Sequence, residues 1–150
     1  MKAVIQRVIS CSMTVEGKTV FEQGKGLLVL VGLAAGDTER DADVLSAKIV
    51  KMRIFGDENG KMNLSVREVS GSVLVVSQFT LHASTRKGNR PSFIRAARPE
   101  RAIPLYELFK KELASLLEGR VESGEFGADM QVSLINDGPV TIFMDSRKRE

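Results

Sequence analysis

The order of apolar and polar positions predicts a chain dominated by β-strands. Residues 3–9 and 13–21 alternate with a period of two, the second segment interrupted by a turn near Gly17, and such alternation is typical of half-buried strands. Residues 26–33 and 72–77 are apolar almost throughout, which predicts strands that are buried on both faces. The early strands are expected to be joined by hairpins.

Two segments show the period of an α-helix. The first follows Asp37 and Thr38, which offer an N-cap, and the second is framed at its start by Pro99 and Pro104 and ended by Gly119. The apolar face of the first helix is predicted to carry Ala42, Leu45, Ile49 and Met52. The apolar face of the second is predicted to carry Leu105, Phe109, Leu113, Leu116 and Leu117.

Two late strands complete the predicted elements. They cover residues 131–135 and 140–144 and are interrupted by a short polar segment. Many strands with two amphipathic helices predict an α/β protein, in which the helices pack on a largely antiparallel, curled, barrel-like sheet. A chain of 150 residues without repeats or a long linker is expected to form one domain, residues 1–150.

Two short islands of polar or conformationally special residues stand at the ends of predicted strands. The first island is residues 77–81, SQFTL, and the second island is residues 136–141, NDGPVT. Gly138 lacks a Cβ and the bond before Pro139 can be cis, so the backbone of the second island can approach a ligand closely. An ordinary hairpin turn that contains proline explains the same residues.

The first island also allows two interpretations. Backbone N–H groups at a strand end can stabilise an oxyanion without any titratable side chain, and Thr80 adds a hydroxyl. Alternatively, Ser77 and Thr80 only satisfy local backbone hydrogen bonds, which is what the pattern alone favours.

Composition excludes most familiar catalytic sites. The chain has one histidine and one cysteine, too few for a zinc site, and it lacks the glycine motifs that bind phosphates or dinucleotides. His82 adjoins the first island and is interpreted as a surface or loop-anchoring residue rather than a general base. Cys11 lies in an alternating strand and is predicted to be an inert, packed thiol. No metal and no cofactor are expected.

The same counts predict a location. No apolar stretch approaches the roughly 20 residues that span a bilayer. The first residues alternate instead of forming the apolar core of a signal peptide. With a single cysteine, these features predict a cytoplasmic protein that makes no membrane contact.

Positive charge is concentrated in one segment. Residues 86–101, here called the basic segment, carry six basic residues and one acid, in a chain of net charge +3. Concentrated positive charge favours a polyanion such as nucleic acid. A solvated loop is the commoner explanation of a charged run.

Taken together, the two islands resemble the signature motifs of D-aminoacyl-tRNA deacylases of the D-Tyr-tRNA deacylase family. The resemblance extends over essentially the whole chain and includes residues 1–8, 61–65 and 124–130 in the same order and spacing. It implies the D-Tyr-tRNA deacylase-like fold and a cytoplasmic homodimer with active sites at the subunit interface. It also implies hydrolysis of the ester that links a D-amino acid, or glycine, to the 3′ end of tRNA, a proofreading step in translation.

The resemblance assigns roles to individual residues. The residues implied to line the catalytic pocket are Ser77, Gln78, Phe79 and Thr80. Gly138 and Pro139 would form a cis pair that enters the neighbouring subunit's pocket and rejects an L side chain by steric clash. Arg7 would brace this pair. The terminal adenine would be cradled by Phe126 and Met130.

With tRNA as the implied partner, the basic segment is interpreted as a contact to RNA phosphates. The residues proposed for this contact are Arg86, Lys87 and Arg90. Phosphate contacts position a nucleic acid without reading its sequence.

Three alternatives stay open at this point. Thr80 as a covalent nucleophile competes with a water molecule that the 2′-hydroxyl of the RNA positions. A catalytically inert nucleic-acid-binding module is the rival from another class, because a fold does not guarantee chemistry. An esterase of small acyl substrates is the third, and it would have a more enclosed pocket without a basic rim.

Overall fold

The computed structural model describes residues 1–118 and 121–148. The strands are β1 (Lys2–Val15), β2 (Lys18–Gln23), β3 (Gly26–Gly32), β4 (Phe55–Gly56), β5 (Met62–Leu64), β6 (Ser72–Ser77), β7 (Val121–Ser123) and β8 (Met130–Asp145). The helices are α1 (Glu39–Lys51) and α2 (Pro99–Leu116), and a 3-10 turn covers Phe79–His82.

The main sheet is built around β1. This strand pairs antiparallel with β8, β3 and β2, whereas β3, β6 and β7 run parallel to one another. Parallel neighbours need long crossovers, which α1 and α2 provide. The predicted curled, barrel-like sheet with two helices packed on it is therefore confirmed. The sheet is mixed, because both helices serve as crossovers between parallel strands.

The two central strands bury both of their faces, as their apolar sequences predict. On β6, Val73 and Val75 pack into the cluster that lies under the helices. Leu74 and Val76 point the other way and pack with Leu28 of β3 and with side chains of β1 in a second cluster. Because successive side chains of a strand alternate between faces, a strand between two cores must be apolar throughout.

Both helices follow their predicted periods. α1 begins after Thr38, whose backbone N–H donates to the Asp41 carboxylate at 2.8 Å. The predicted apolar positions that are buried are Ala42, Leu45, Ile49, Leu105, Phe109, Leu113 and Leu117, and Met52 and Leu116 are half-buried. α2 ends at Leu116. Its predicted terminator, Gly119, lies outside the described residues.

β1 is longer than the alternation predicted. Residues 13–21, predicted as one interrupted strand, are divided between β1 and β2 by a turn at Glu16 and Gly17. Both turn residues have positive φ, 51° and 75°. The prediction of a turn near Gly17 is confirmed, and the strand before it is continuous from Lys2 to Val15.

The last strand corrects a second prediction. Residues 131–135 and 140–144 belong to one strand, β8, and the second island does not reverse the chain. Between the pairs Gln6–Thr141 and Val8–Asn136, β1 has one residue and β8 has residues 137–140, which bulge out of the ladder. A Gly-Pro sequence favours a turn or a bulge equally, so the sequence could not separate them.

Gly26 supplies a test of the parallel β3–β6 pair. A Cβ built at Gly26 would lie 1.9 Å from the Ser72 carbonyl oxygen, and the strand backbone cannot move aside. Gly26→Ala is therefore expected to lower the free energy of unfolding by about 3 kcal/mol, measured by urea denaturation. Gly24→Ala is the matched control, since its Cβ would meet nothing within 4 Å among the described residues. Equal stability of the two variants would contradict this packing.

Candidate active site

A cavity of about 490 Å³ opens at the end of β6 and lies against the first island. Its floor is apolar and comes from β3, β6 and β8, through Leu28, Leu30, Val76, Val132 and Leu134. Polar groups enter at the rim from Gln6, Ser77 and Gln78. This volume and lining are typical of a site for a small organic ligand.

The first island forms one wall of the cavity because the chain turns sharply where β6 ends. The Gln78 N–H donates to the Val31 carbonyl at 2.8 Å, which extends the β3–β6 ladder by one bond. The chain then enters the 3-10 turn, so Ser77, Gln78 and Phe79 all line the cavity. Phe79 is exposed and its ring packs edge-on against Phe93, with 5.1 Å between the centroids.

The start of the 3-10 turn presents backbone donors. Its first internal bond runs from the Leu81 N–H to the Gln78 carbonyl, at 3.2 Å. The amides of Phe79 and Thr80 come before that bond. At the start of a helical turn, the first N–H groups find no acceptor within the turn itself. Thr80 is exposed, and its hydroxyl accepts a hydrogen bond from the Gln78 side-chain amide. The described cavity lining includes Phe79 and does not include Thr80.

The second island lies in an exposed bulge that the Arg7 side chain contacts through hydrogen bonds. The Arg7 Nε donates to the Asp137 carbonyl and lies 3.1 Å from the Asp137 carboxylate, while Nη1 donates to the Ile54 carbonyl at 2.5 Å. Asn136 closes the base of the bulge, since its Nδ2 donates to the Arg7 carbonyl at 2.8 Å. Gly138 and Pro139 are exposed, and the peptide bond between them is cis.

The structure thus separates the predicted site residues into two groups. Within one chain the cavity collects Ser77, Gln78, Phe79, Phe126 and Met130. The other group lies at the bulge and consists of Arg7, Gly138 and Pro139. None of these three is among the described residues that line the cavity.

Gln6 connects the two groups and was not predicted from the sequence. It lines the cavity, and its side-chain oxygen accepts a hydrogen bond from the Thr141 hydroxyl at 2.5 Å. Thr141 is the last residue of the second island. The one available signal was its position, beside Arg7 in an alternating strand.

Neither His82 nor Cys11 is among the described lining residues of the cavity, and His82 is not a surface residue. His82 is buried under Gly32, and its Nε2 has no hydrogen-bond partner among the described residues. Burial raises the pKa of the Cys11 thiol to about 11, so the thiol carries no nucleophilic thiolate near neutral pH. Cys11 is packed among apolar side chains, as the alternation predicted.

The predicted phosphate contacts lie on an exposed loop that is attached to the cavity rim. Ser84 and Ser92 exchange two backbone hydrogen bonds of 2.8 and 2.9 Å, which close the loop. The exposed cations within it are Arg86, Lys87 and Arg90. Phe93 follows this closure and packs on Phe79, so the loop adjoins the first island.

Two features are absent from the described residues. Within residues 1–118 and 121–148, no three His, Cys, Asp or Glu side chains gather in a way that could hold a metal ion. No helix in the same ranges is both long and apolar enough to cross a membrane.

Known proteins resemble this chain in both sequence and structure. Proteins named D-aminoacyl-tRNA deacylase from Akkermansia muciniphila and Flavobacterium johnsoniae are 77% and 59% identical to it over 150 residues, which is all of each chain. A solved structure titled c-Myc DNA Unwinding Element Binding Protein is 41% identical, with a TM-score of 0.92, and the match covers 97% of this chain and 98% of the other.

A second solved structure shares the fold at low identity. Titled as a probable eukaryotic D-amino acid tRNA deacylase, it is 18% identical with a TM-score of 0.81, over 95% of this chain and 97% of the other. The family model described as D-Tyr-tRNA(Tyr) deacylase matches residues 4–145. The chain belongs to the D-Tyr-tRNA(Tyr) deacylase family.

Proposed function

We propose that this protein is a hydrolase that cleaves the ester bond of D-aminoacyl-tRNA and releases a free D-amino acid and tRNA. The observation that carries the proposal is the cavity beside the first island, where a polar rim meets an apolar floor next to the start of the 3-10 turn. The curated relatives of the chain carry the name of this activity over their full length. Removing D-amino acids from tRNA is chiral proofreading, and we assign it to the cytoplasm, where translation occurs.

The backbone amides of Phe79 and Thr80 are proposed to stabilise the reaction's oxyanion. When water attacks the ester carbonyl, its oxygen becomes negatively charged, and fixed N–H dipoles stabilise that charge without moving. An aminoacyl ester is already activated, so the site needs no strong side-chain base. The described lining is mainly apolar and neutral polar, and Asp129 is its one charged residue.

Chirality is proposed to be read by the backbone at Gly138 and Pro139. Their exposed position on the surface of one chain suits entry into the cavity of a second copy. A carbonyl placed against the substrate's α-carbon leaves room for hydrogen and clashes with an L side chain. Glycine has no side chain to reject, so the same gate admits glycyl-tRNA.

A homodimer is proposed because the strand that carries the bulge also exposes large apolar side chains. On β8, Ile135 precedes the bulge and Phe143 follows it, with 56% and 59% of their surfaces exposed. Ile9 of the paired strand β1 is 54% exposed. Exposed apolar groups of this kind mark protein interfaces, and a second copy would bring the two groups of site residues together.

The basic segment is proposed to contact tRNA phosphates. Replacing both Arg86 and Arg90 with Gln is expected to raise KM for whole tRNA and to lower the slope of log KM against log salt by about 2. The measurement is KM at several salt concentrations. Activity on a short aminoacyl-ribonucleotide should stay unchanged, because that substrate lacks the acceptor-stem phosphates. Equal effects on both substrates would contradict the contact.

Thr80→Ala decides between the two hydrolytic routes. We propose that the attacking water is positioned by the RNA 2′-hydroxyl, because the Thr80 hydroxyl is already engaged by the Gln78 side-chain amide. The variant should then keep kcat within about tenfold of the wild type, whereas loss of a covalent nucleophile would cost about 10⁴-fold or more. Single-turnover deacylation rates measure the difference.

The proposed function is tested by incubating the protein with matched D- and L-aminoacyl-tRNA and measuring the release of amino acid. Release from the D form and not from the L form is the expected result. Glycyl-tRNA is a third substrate, expected to be cleaved. No release from the D form by enzyme in stoichiometric amounts would reject the proposal.

A DNA-binding role is the second candidate, because the solved structure with 41% identity is titled as a DNA-binding protein. Deacylation requires an intact first island, whereas DNA binding does not. If the protein binds DNA, a variant that has lost deacylase activity should keep its affinity for duplex DNA. If the protein is only a deacylase, it should bind DNA weakly and without sequence preference. Filter binding with specific and scrambled duplexes separates them.

A further inference from the structure

Tyr106 lies directly behind the first island, at the edge of the sheet where β7 ends. The last pair between β6 and β7 joins Val75 to Ser123. Beyond that pair, Ser77 still belongs to β6, and no strand of the described residues lies beside it on that edge. The Tyr106 hydroxyl fills this position: it donates to the Val75 carbonyl at 3.2 Å, and the Ser77 backbone also interacts with it.

The ladder geometry explains why one hydroxyl can serve both groups. In a strand, the N–H and C=O groups of residues i and i+2 point to the same edge. The Gln78 N–H points the opposite way, toward β3, where it donates to the Val31 carbonyl. The Tyr106 hydroxyl therefore takes the place of the next residue of β7, beside the Val75 carbonyl and the Ser77 N–H.

Two further side chains fix the tyrosine. Ser123 is a hydrogen-bond partner of the Tyr106 hydroxyl, and Lys110 Nζ in turn donates to Ser123 Oγ at 3.0 Å. Lys110 Nζ also lies 4.9 Å from the centre of the Tyr106 ring. Burial raises the pKa of the Tyr106 hydroxyl well above its ordinary value, so it stays neutral and can both donate and accept.

The ring of Tyr106 contacts another residue of the cavity lining. It packs edge-on against Phe126, with 5.6 Å between the centroids, and Phe126 lines the cavity. One buried residue on α2 thus contacts both the strand that delivers the first island and the segment after β7. Tyr106 itself is 1% exposed and does not reach the substrate space.

We propose that Tyr106 is a positioning residue for the active site: its hydroxyl sets the direction in which the chain leaves β6, and its ring sets the place of Phe126. The inference rests on the proposed deacylase function for its kinetic consequences. The amides of Phe79 and Thr80 follow Ser77 by two and three residues, so a shift of the strand end displaces both oxyanion donors. The Phe126 wall, which the resemblance implies contacts the terminal adenine, would act on affinity instead.

Tyr106→Phe and Tyr106→Leu separate the two parts. The Phe variant keeps the ring and is expected to lower kcat about tenfold with KM within about twofold, because it disturbs only the oxyanion donors. The Leu variant also loses the edge contact and is expected to raise KM about threefold to tenfold. Both constants are measured with D-aminoacyl-tRNA.

Amide hydrogen exchange supplies a readout that does not depend on activity. In Tyr106→Phe the Ser77 amide should exchange about tenfold faster, while the Val29 amide in the centre of β3 should be unchanged. Ser46→Ala is the matched control, since it also removes one buried hydroxyl from a helix, at the α1–α2 contact, where Ser46 Oγ donates to the Asp43 carbonyl at 3.0 Å. It should leave kcat, KM and Ser77 exchange unchanged.

The outcomes distinguish this inference from the proposed function. A wild-type protein without deacylase activity would reject the function, and the Ser77 exchange rate would still decide whether Tyr106 holds the strand end. An unchanged Ser77 exchange rate in Tyr106→Phe would overturn the inference. So would a Tyr106→Phe variant that matches Ser46→Ala in melting temperature and in both kinetic constants.

Discussion

Replacing Phe79 with proline is expected to lower kcat for D-aminoacyl-tRNA by about 10²–10³-fold, the usual cost of losing one oxyanion donor. Proline removes the backbone N–H and otherwise fits, because Phe79 opens a 3-10 turn whose φ is close to that of proline. The preceding Gln78 has φ −142° and ψ 80°, outside the helical region that proline disfavours in its neighbour. Single-turnover deacylation measures the effect.

Phe79→Ala is the control for this substitution. It removes the ring, including the edge contact with Phe93, and keeps the N–H. Its kcat should fall by less than about tenfold, because a cavity-wall contact acts more on binding than on the transition state. If the two variants lose activity equally, the ring rather than the amide is the important group, and the oxyanion assignment is wrong.

Gly138→Ala is expected to reduce kcat/KM for D-aminoacyl-tRNA by at least about tenfold and to narrow the ratio of D to L rates. Gly138 has a φ of 120°, which L side chains rarely adopt. A Cβ there would also lie 2.8 Å from Arg7 Nη2 and 3.0 Å from Val140 Cγ2. The bulge must therefore move, and with it the carbonyl groups proposed to read chirality. Rates on matched D and L substrates measure the change.

Gly60→Ala carries a similar backbone penalty at a distance from the site. Gly60 has a φ of 72° in the turn between β4 and β5, and a Cβ there would meet no described atom within 4 Å. It should lower the free energy of unfolding by about 1 kcal/mol and leave the ratio of D to L rates unchanged. A ratio that is also unchanged in Gly138→Ala would rule out the gate.

Mixing these two impaired variants tests whether the bulge acts on the neighbouring subunit. In a mixed dimer of Phe79→Pro and Gly138→Ala chains, one site would combine both defects and the other would be intact. Coexpression should then restore about a quarter of the wild-type activity if chains pair at random. No recovery would mean that each chain completes its own site.

Local sequence patterns predicted the parts of the fold that depend on one element at a time. The apolar run at residues 26–33 and the period of residues 39–51 gave a buried strand and a helix, because burial of one segment sets its own pattern. The continuity of β8 was not predictable, since it depends on Asn136 bonding to Arg7, 129 positions away. The parallel pairing of β6 and β7 likewise depends on a crossover and not on either strand's residues.

The site divides in the same way. The two islands could be located from their own residues, as polar and special positions where strands should end. Tyr106 could not, because a single tyrosine on the apolar face of a helix is indistinguishable from a core residue until its partners are known. That Arg7 and the bulge lie apart from the cavity could also not be predicted from the sequence. It depends on which side of the folded sheet each strand faces.

The bulge has one more consequence, for the lengths that this segment can have. It interrupts a strand that is paired with β1 both before the bulge, from Met130 to Asn136, and after it, from Thr141 to Asp145. Adding or removing one residue between them would turn every later side chain to the opposite face, so that Ile142 and Phe143 would exchange core and solvent. A free hairpin tip tolerates such changes. The number of residues here is therefore fixed by strand register, whatever substrate the protein serves.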